Sequence, residues 1–190
     1  MVEVKISAAM ARLPFIECGP ACIGQTGCQG NCCKAPSKPG GCFVTVHPDE
    51  QEKIESAGAV VINGLIQPAP GRKGCPFQRN GLCTLHGTDK KPFGCIASPF
   101  TLNKNGTLVV RQRYIVLPCG SGPGRKEPAY RTFRSSLELI FGEKETERIT
   151  EKLDSGSGDF KATMTRENYF KLIKNDAIKR QNKRELEGVE

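Results

Sequence analysis

Residues 18–42 read CGPACIGQTGCQGNCCKAPSKPGGC, a stretch that places six cysteines among closely spaced glycines and prolines. It has neither the two-residue period of a strand nor the 3.6-residue period of a helix. A segment of this composition cannot supply a hydrophobic core of its own. It is typical of a loop that wraps around a bound group, so we expect the core to come from the rest of the chain.

The chain has 10 cysteines in 190 residues, a number that indicates either disulfides or metal ligands. Residues 1–7 (MVEVKIS) carry an acid at Glu3 and lack the apolar core of a signal peptide. No run approaches the roughly 18 apolar residues of a membrane span. We therefore expect a cytoplasmic protein with no membrane partner, a setting in which cysteine groups more often bind metal than form disulfides.

The spacing of the cysteines bears on the metal. They form two groups, C-x3-C-x5-C-x3-C-C over 18–33 and C-x7-C-x11-C over 75–95, with Cys42 and Cys119 outside both. Structural zinc usually takes ligands in pairs two to four residues apart, whereas most of these cysteines are dispersed. The irregular spacing favours an iron–sulfur cluster, preferably [4Fe-4S], and zinc is the alternative.

Two of the cysteines, Cys32 and Cys33, are adjacent in the chain. In extended backbone, adjacent side chains point to opposite faces, so two such thiols would not easily serve one centre. The pair therefore favours either two centres, or one ligand beside one bystander.

The positive charge lies with the cysteines, because residues 1–126 hold the whole of the +8 formal net charge. Such an excess usually indicates an anionic partner such as nucleic acid. Cysteines bound to a metal are thiolates, however, and the formal count omits their negative charge. The indication of a nucleic-acid partner is therefore weak.

Short strands and helices are predicted between and after the cysteine groups. In the first part they are a strand at 43–46, a helix opened by Pro48 and ended by Gly58, a strand at 60–66 and a hairpin at 99–110. In the second part they are helices at 129–141 and 143–153, a linker at 155–158 and a last helix from Thr165 to about residue 186. We predict an α+β protein, with a small irregular metal-stabilised domain at 1–126 and a helical C-terminal extension at 127–190.

The last predicted helix has an apolar stripe at Tyr169, Leu172, Ile173 and Ile178. Such a stripe packs against the cysteine domain or binds a protein partner.

Several short motifs occur in a characteristic order, and together they cover roughly residues 18–124. They are CQGNCC at 28–33, PDE at 48–50, CPF at 75–77, GLCTLH at 81–86, KPFGC at 91–95 and SPF at 98–100. This combination resembles the YkgJ-type cysteine-cluster family, whose members are described as zinc- or iron-chelating. In this chain His86 stands where that family has Tyr, and Lys91 and Ile96 stand where it has Arg.

The resemblance implies a set of metal ligands that spans both cysteine groups. By position they are Cys22, Cys28, Cys32, Cys33, Cys75, Cys83, Cys95 and Cys119. Cys18, Cys42 and His86 are further candidates.

These patterns favour a metal-binding module, with a structural, electron-carrying or sensing role, over an enzyme. One alternative is a zinc-binding structural or interaction subunit of a larger assembly, which would dock through its C-terminal helices. Another is a methylase-like enzyme, because some relatives of the family look like lysine methylases that need S-adenosylmethionine. The cysteine spacing does not supply the C-x3-C-x2-C of radical S-adenosylmethionine enzymes, and we assign no catalytic residue.

Overall fold

The computed structural model describes residues 1–17, 26–33, 44–71, 74–124 and 126–173, so Cys18, Cys22 and Cys42 lie outside the described residues. Helices and strands in small sheets both occur, and the predicted α+β class is confirmed. The chain forms two compact units. The sheet unit comprises Met1–Cys28 and Ile96–Phe170, and the cysteine unit comprises Gln29–Cys95 and Lys171–Glu190. The predicted domain boundary after residue 126 stays a prediction.

The strands are β1 (Val2–Ile6), β2 (Pro14–Phe15), β3 (Val61–Ile62), β4 (Leu65–Ile66), β5 (Gln78–Arg79), β6 (Leu82–Cys83), β7 (Phe100–Leu102), β8 (Thr107–Val110), β9 (Glu127–Pro128) and β10 (Phe160–Met164). The α-helices are α1 (Gln51–Ser56), α2 (Phe93–Ile96), α3 (Gln112–Ile115), α4 (Pro118–Ser121), α5 (Ala129–Thr132), α6 (Arg134–Phe141) and α7 (Glu143–Asp154). Residues 166–173 are also helical. Turns of 3-10 helix lie at Ala8–Arg12, Asn31–Cys33 and Pro48–Glu50.

The sheet unit is built on four strands in the order β10-β1-β8-β7. Strand β1 runs antiparallel to β10 and parallel to β8, and β7 and β8 form the predicted hairpin. Val4 and Ile6 of β1 are buried, whereas the intervening Lys5 is exposed, which is the alternation of a strand with one face in the core. No strand is predicted from the sequence for β1 or β10, although both sequences alternate apolar and polar residues.

Helices α6 and α7 confirm two predicted helices, and Gly142 separates them with a φ of 81° that favours glycine. The helix predicted over 129–141 is divided at Phe133 into α5 and α6. Both longer helices bury an apolar stripe, represented by Ile140 and Ile149, which are fully buried. No helix in the described part of the chain is long and apolar enough to cross a membrane.

The cysteine unit has a small core of its own around α1. Its buried members are Val46, Ile54, Ala59, Ile66, Cys75, Phe77 and Leu85. The predicted helix from Pro48 is confirmed. The single strand predicted over 60–66 is wrong, because Asn63 and Gly64 both adopt positive φ and turn the chain into the β3–β4 hairpin. Where the first strand is predicted, Thr45 forms one isolated bridge with Leu65.

Candidate metal centre

Five of the predicted ligands belong to the cysteine unit, and they come from three separate stretches of its chain. They are Cys32, Cys33, Cys75, Cys83 and Cys95. The positions of these thiols depend on the local structure of each stretch.

Cys32 and Cys33 lie in a loop that hydrogen bonds hold in place. The backbone N–H of Cys33 donates to the carbonyl of Gly30 at 2.9 Å, which closes a turn of 3-10 helix. The side-chain amide of Gln78 donates to two carbonyl oxygens of this loop, one of them that of Gly30, at 2.9 Å each. Gly30 has a φ of 67°, and a Cβ there would stand 2.7 Å from the carbonyl oxygen of Gly81, so the approach requires glycine.

The sulfurs of Cys32 and Cys33 lie 3.9 Å apart. The assumption of extended backbone at this pair is wrong, because the chain here is a turn of 3-10 helix and does not place the two side chains on opposite faces. Two sulfurs bound to one tetrahedral ion at about 2.3 Å are about 3.8 Å apart. The pair as it stands therefore has nearly the spacing that one metal ion requires.

A tight hairpin positions Cys83 relative to Cys75. Strands β5 and β6 pair Gln78 with Cys83, and the chain turns at Asn80 and Gly81, which both have positive φ. Before the hairpin, the backbone N–H of Gln78 donates to the carbonyl of Cys75 at 3.1 Å. Cys75 is buried in the apolar core and Cys83 packs against the same core.

Cys95 lies on α2, where its N–H donates to the carbonyl of Pro92 at 2.9 Å. Part of the residue reaches the surface, yet burial of its thiol raises the pKa of Cys95 to about 12. Three other thiols lie close enough to raise this pKa further, and the ammonium of Lys91 opposes them. The three are Cys75, Cys83 and Cys32.

His86 lies on the surface, and its Nδ1 is 3.2 Å from the Nζ of Lys91. An ammonium can only donate, so Nδ1 is the acceptor in this contact. Only Nε2 of His86 remains for a metal, and its role as a ligand stays a prediction.

The other two described candidates belong to the sheet unit. Cys28 and Ile16 pack together in a small buried cluster, and Cys119 of α4 packs against it. The N–H of Ile16 donates to the carbonyl of Cys119 at 2.9 Å. The structure thus brings Cys28 and Cys119 into one neighbourhood, although 90 residues separate them in the chain.

Within the described residues the cysteines form no disulfide, and no three His, Cys, Asp or Glu side chains converge closely enough to hold an ion. The donor set of the cysteine unit nevertheless fits a thiolate-bound metal, because a cation would offset the mutual repulsion of neighbouring thiolates. Ligation would require the side chains around Cys95 to move closer together, while the pair at Cys32 and Cys33 would need little change.

Comparison of the chain with protein-family models, curated proteins and solved structures finds no match. The resemblance to the YkgJ-type family, and the ligand set that it implies, therefore remain predictions from the motifs.

Two residues that organise the site are not singled out by the sequence analysis. Gln78 holds the loop of Cys32, and Glu50 contacts the stretch that leads to Cys95. The Pro-Asp-Glu motif at 48–50 indicates a helix start, and it gives no hint of the second contact of Glu50. The Asn-Gly pairs at 63–64 and 80–81 are recognisable hairpin signals.

Proposed function

We propose that this protein is a metal-binding module whose centre is held by thiols of the cysteine unit, drawn from Cys32, Cys33, Cys75, Cys83 and Cys95. The observation that carries the proposal is that Cys32, Cys75 and Cys83 lie near enough to Cys95 to raise the pKa of its thiol. These thiols come from three separate stretches of the chain, which is unusual for cysteines that merely fill a core. The expected roles are structural, electron-carrying or sensing, and no reaction is assigned.

An iron–sulfur cluster, preferably [4Fe-4S], is the first candidate because the ligands are irregularly spaced and widely separated along the chain. Such a cluster would supply one-electron transfer. The chain's own contribution would be to hold the thiols and limit the access of water, since Cys75 is buried beside Phe77 and Leu85. The ammonium of Lys91 would offset part of the negative charge at Cys95.

Zinc is the second candidate, and one observation favours it. The 3.9 Å between the sulfurs of Cys32 and Cys33 suits two ligands of a single ion. In a [4Fe-4S] cluster, each cysteine sulfur binds a different iron atom, and the sulfurs stand further apart. A zinc centre would stabilise the fold of a structural or interaction subunit by cross-linking separate stretches of its chain.

A protein partner at the C-terminal helices and a cytoplasmic location belong to the same proposal. The partner is supported by two apolar side chains of the helix at residues 166–173, since Phe170 is 50% exposed and Ile173 is 39% exposed.

The decisive experiment is anaerobic purification followed by analysis of iron, acid-labile sulfide and zinc. Iron with equimolar sulfide favours the cluster, and stoichiometric zinc without sulfide favours the ion. Cys83→Ser and Cys95→Ser are expected to lose the metal, while Cys28→Ser and Cys119→Ser show whether thiols of the sheet unit also contribute. Unchanged metal content in both Cys83→Ser and Cys95→Ser overturns the proposal.

A further inference from the structure

Glu50 is a buried carboxylate in the cysteine unit, only 6% exposed. Its Oε1 accepts a hydrogen bond from the backbone N–H of Phe93 at 2.8 Å, 43 residues further along the chain. Its Oε2 lies 3.4 Å from the backbone N–H of His47, which donates to it. The carboxylate thus links the start of the 3-10 turn at Pro48–Glu50 to the start of α2.

The bond to Phe93 matters because it anchors the helix that carries Cys95. Phe93 is the first residue of α2, and the first amides of a helix have no acceptor within the helix itself. Cys95 comes two residues later in the same four-residue helix. So short a helix cannot fix its own position, and the hydrogen bond that its first N–H donates to a buried carboxylate is one of the stronger anchors available to it.

The ring of Phe93 is held from the same segment. It is buried and meets the ring of His47 edge to face, with the ring centroids 6.0 Å apart. The Nζ of Lys171 lies 5.7 Å from the Phe93 centroid and forms a 2.7 Å ion pair with Asp49. The segment that contains Glu50 therefore contacts both the backbone and the side chain of Phe93.

We propose that Glu50 is a positioning residue for Cys95, which holds the Phe93 amide so that the Cys95 thiol faces those of Cys32, Cys75 and Cys83. The inference rests on the proposed metal-binding function and adds a residue that controls its affinity. Glu50 would not itself bind the metal. Residues that orient ligands through hydrogen bonds typically change metal affinity about 10–100-fold when they are substituted.

The test compares Glu50→Gln and Glu50→Asp in the full-length protein. Gln keeps one oxygen at the same reach and can still accept from Phe93, although it loses the charge and the second oxygen that accepts from His47. Asp keeps the charge, but its shorter side chain draws the oxygen away from the amide. Glu52→Gln, on the exposed face of α1, is the matched control for the loss of one negative charge.

Two readouts are needed. The first is the affinity of the reduced, metal-free protein for Zn²⁺, measured by competition with a chromogenic chelator. The second is the alkylation rate of each cysteine in the metal-free protein, resolved by peptide mass spectrometry. We expect Glu50→Asp to weaken Zn²⁺ binding about 10–100-fold and to change the alkylation rate of Cys95 selectively. Glu50→Gln should lose less affinity than Glu50→Asp, and Glu52→Gln should stay close to wild type.

The outcome depends on which of the two Glu50 variants loses more affinity for Zn²⁺. If Glu50→Gln loses affinity and Glu50→Asp does not, charge and not position is what matters, and the inference is overturned. It is equally overturned if all cysteines change reactivity together, since that indicates general unfolding. If the wild-type protein binds no metal, the proposed function fails, yet the selective change at Cys95 still tests the role of Glu50.

Discussion

In the metal-free protein, the Cys95 thiol should make the fold sensitive to alkaline pH. Burial raises its pKa from the ordinary 9.0 to about 12, and neighbouring thiols add to the rise. The unfolded chain would release this proton near pH 9, and the folded chain only near pH 12. Its contribution to stability is therefore complete below pH 9 and is lost as the pH rises toward 12. The difference between the two values corresponds to about 4 kcal/mol.

The test compares Cys95→Ala with the wild-type protein. The free energy of unfolding in urea is measured for both as reduced, chelator-treated protein. Between about pH 9 and pH 11 the wild-type protein is expected to lose about 1.4 kcal/mol per pH unit more than Cys95→Ala. Lysines and tyrosines that titrate in the same range cancel in this difference. Cys28→Ala, in the sheet unit, is the control, and it should keep the wild-type slope because Cys95 is intact.

Equal slopes for the wild-type protein and Cys95→Ala would refute the reasoning, because the thiol would then ionise as readily in the folded chain as in the unfolded one. With a metal ion bound, the stability of the protein should instead increase as the pH rises. Ligation requires the thiolate, so the affinity for a metal ion should increase as the pH rises through the pKa of the thiols.

Three further predictions concern the fold that supports the site. Gly30→Ala should destabilise the protein by about 1–3 kcal/mol more than Gly27→Ala in urea unfolding. Both glycines have positive φ, but of the two only Gly30 has atoms that an added Cβ would contact. Equal losses of stability would contradict this steric argument. Glu145→Gln should lose about 1.5–3 kcal/mol at neutral pH, since this carboxylate accepts from an arginine and from the N–H of Thr163 and its pKa is lowered by those bonds. The loss should disappear as the pH falls through this lowered pKa, because the wild-type side chain is then neutral too; a difference that persists in more acidic solution would exclude the charge as its cause. Ile149→Ala, at a fully buried position, should lower the free energy of unfolding by about 2–5 kcal/mol, and a loss near zero would mean that α7 does not pack as described.

The parts of the fold that are predictable from sequence are those with strong local signals. Helix α7, the α6–α7 break at Gly142 and the β7–β8 hairpin carry caps, turn residues and periodicity of their own. Strands β1 and β10 are missed signals, since their apolar residues alternate with polar ones. Their pairing with each other across 150 residues or more is set by the tertiary structure. The β3–β4 hairpin is a missed signal, since its Asn63-Gly64 turn is visible in the sequence.

For the candidate site, the sequence alone determines which donor groups are available. It supplies the thiols, the glycines and prolines around them, and the irregular spacing from which an iron–sulfur cluster is predicted in preference to zinc. Which thiols are neighbours is decided only by the tertiary structure, which brings Cys32, Cys75 and Cys83 close enough to Cys95 to raise its pKa in one unit and packs Cys119 against Cys28 and Ile16 in the other. The physical reason is that a cysteine's identity is local, whereas its neighbours depend on long-range packing and on buried bonds such as that between Glu50 and Phe93.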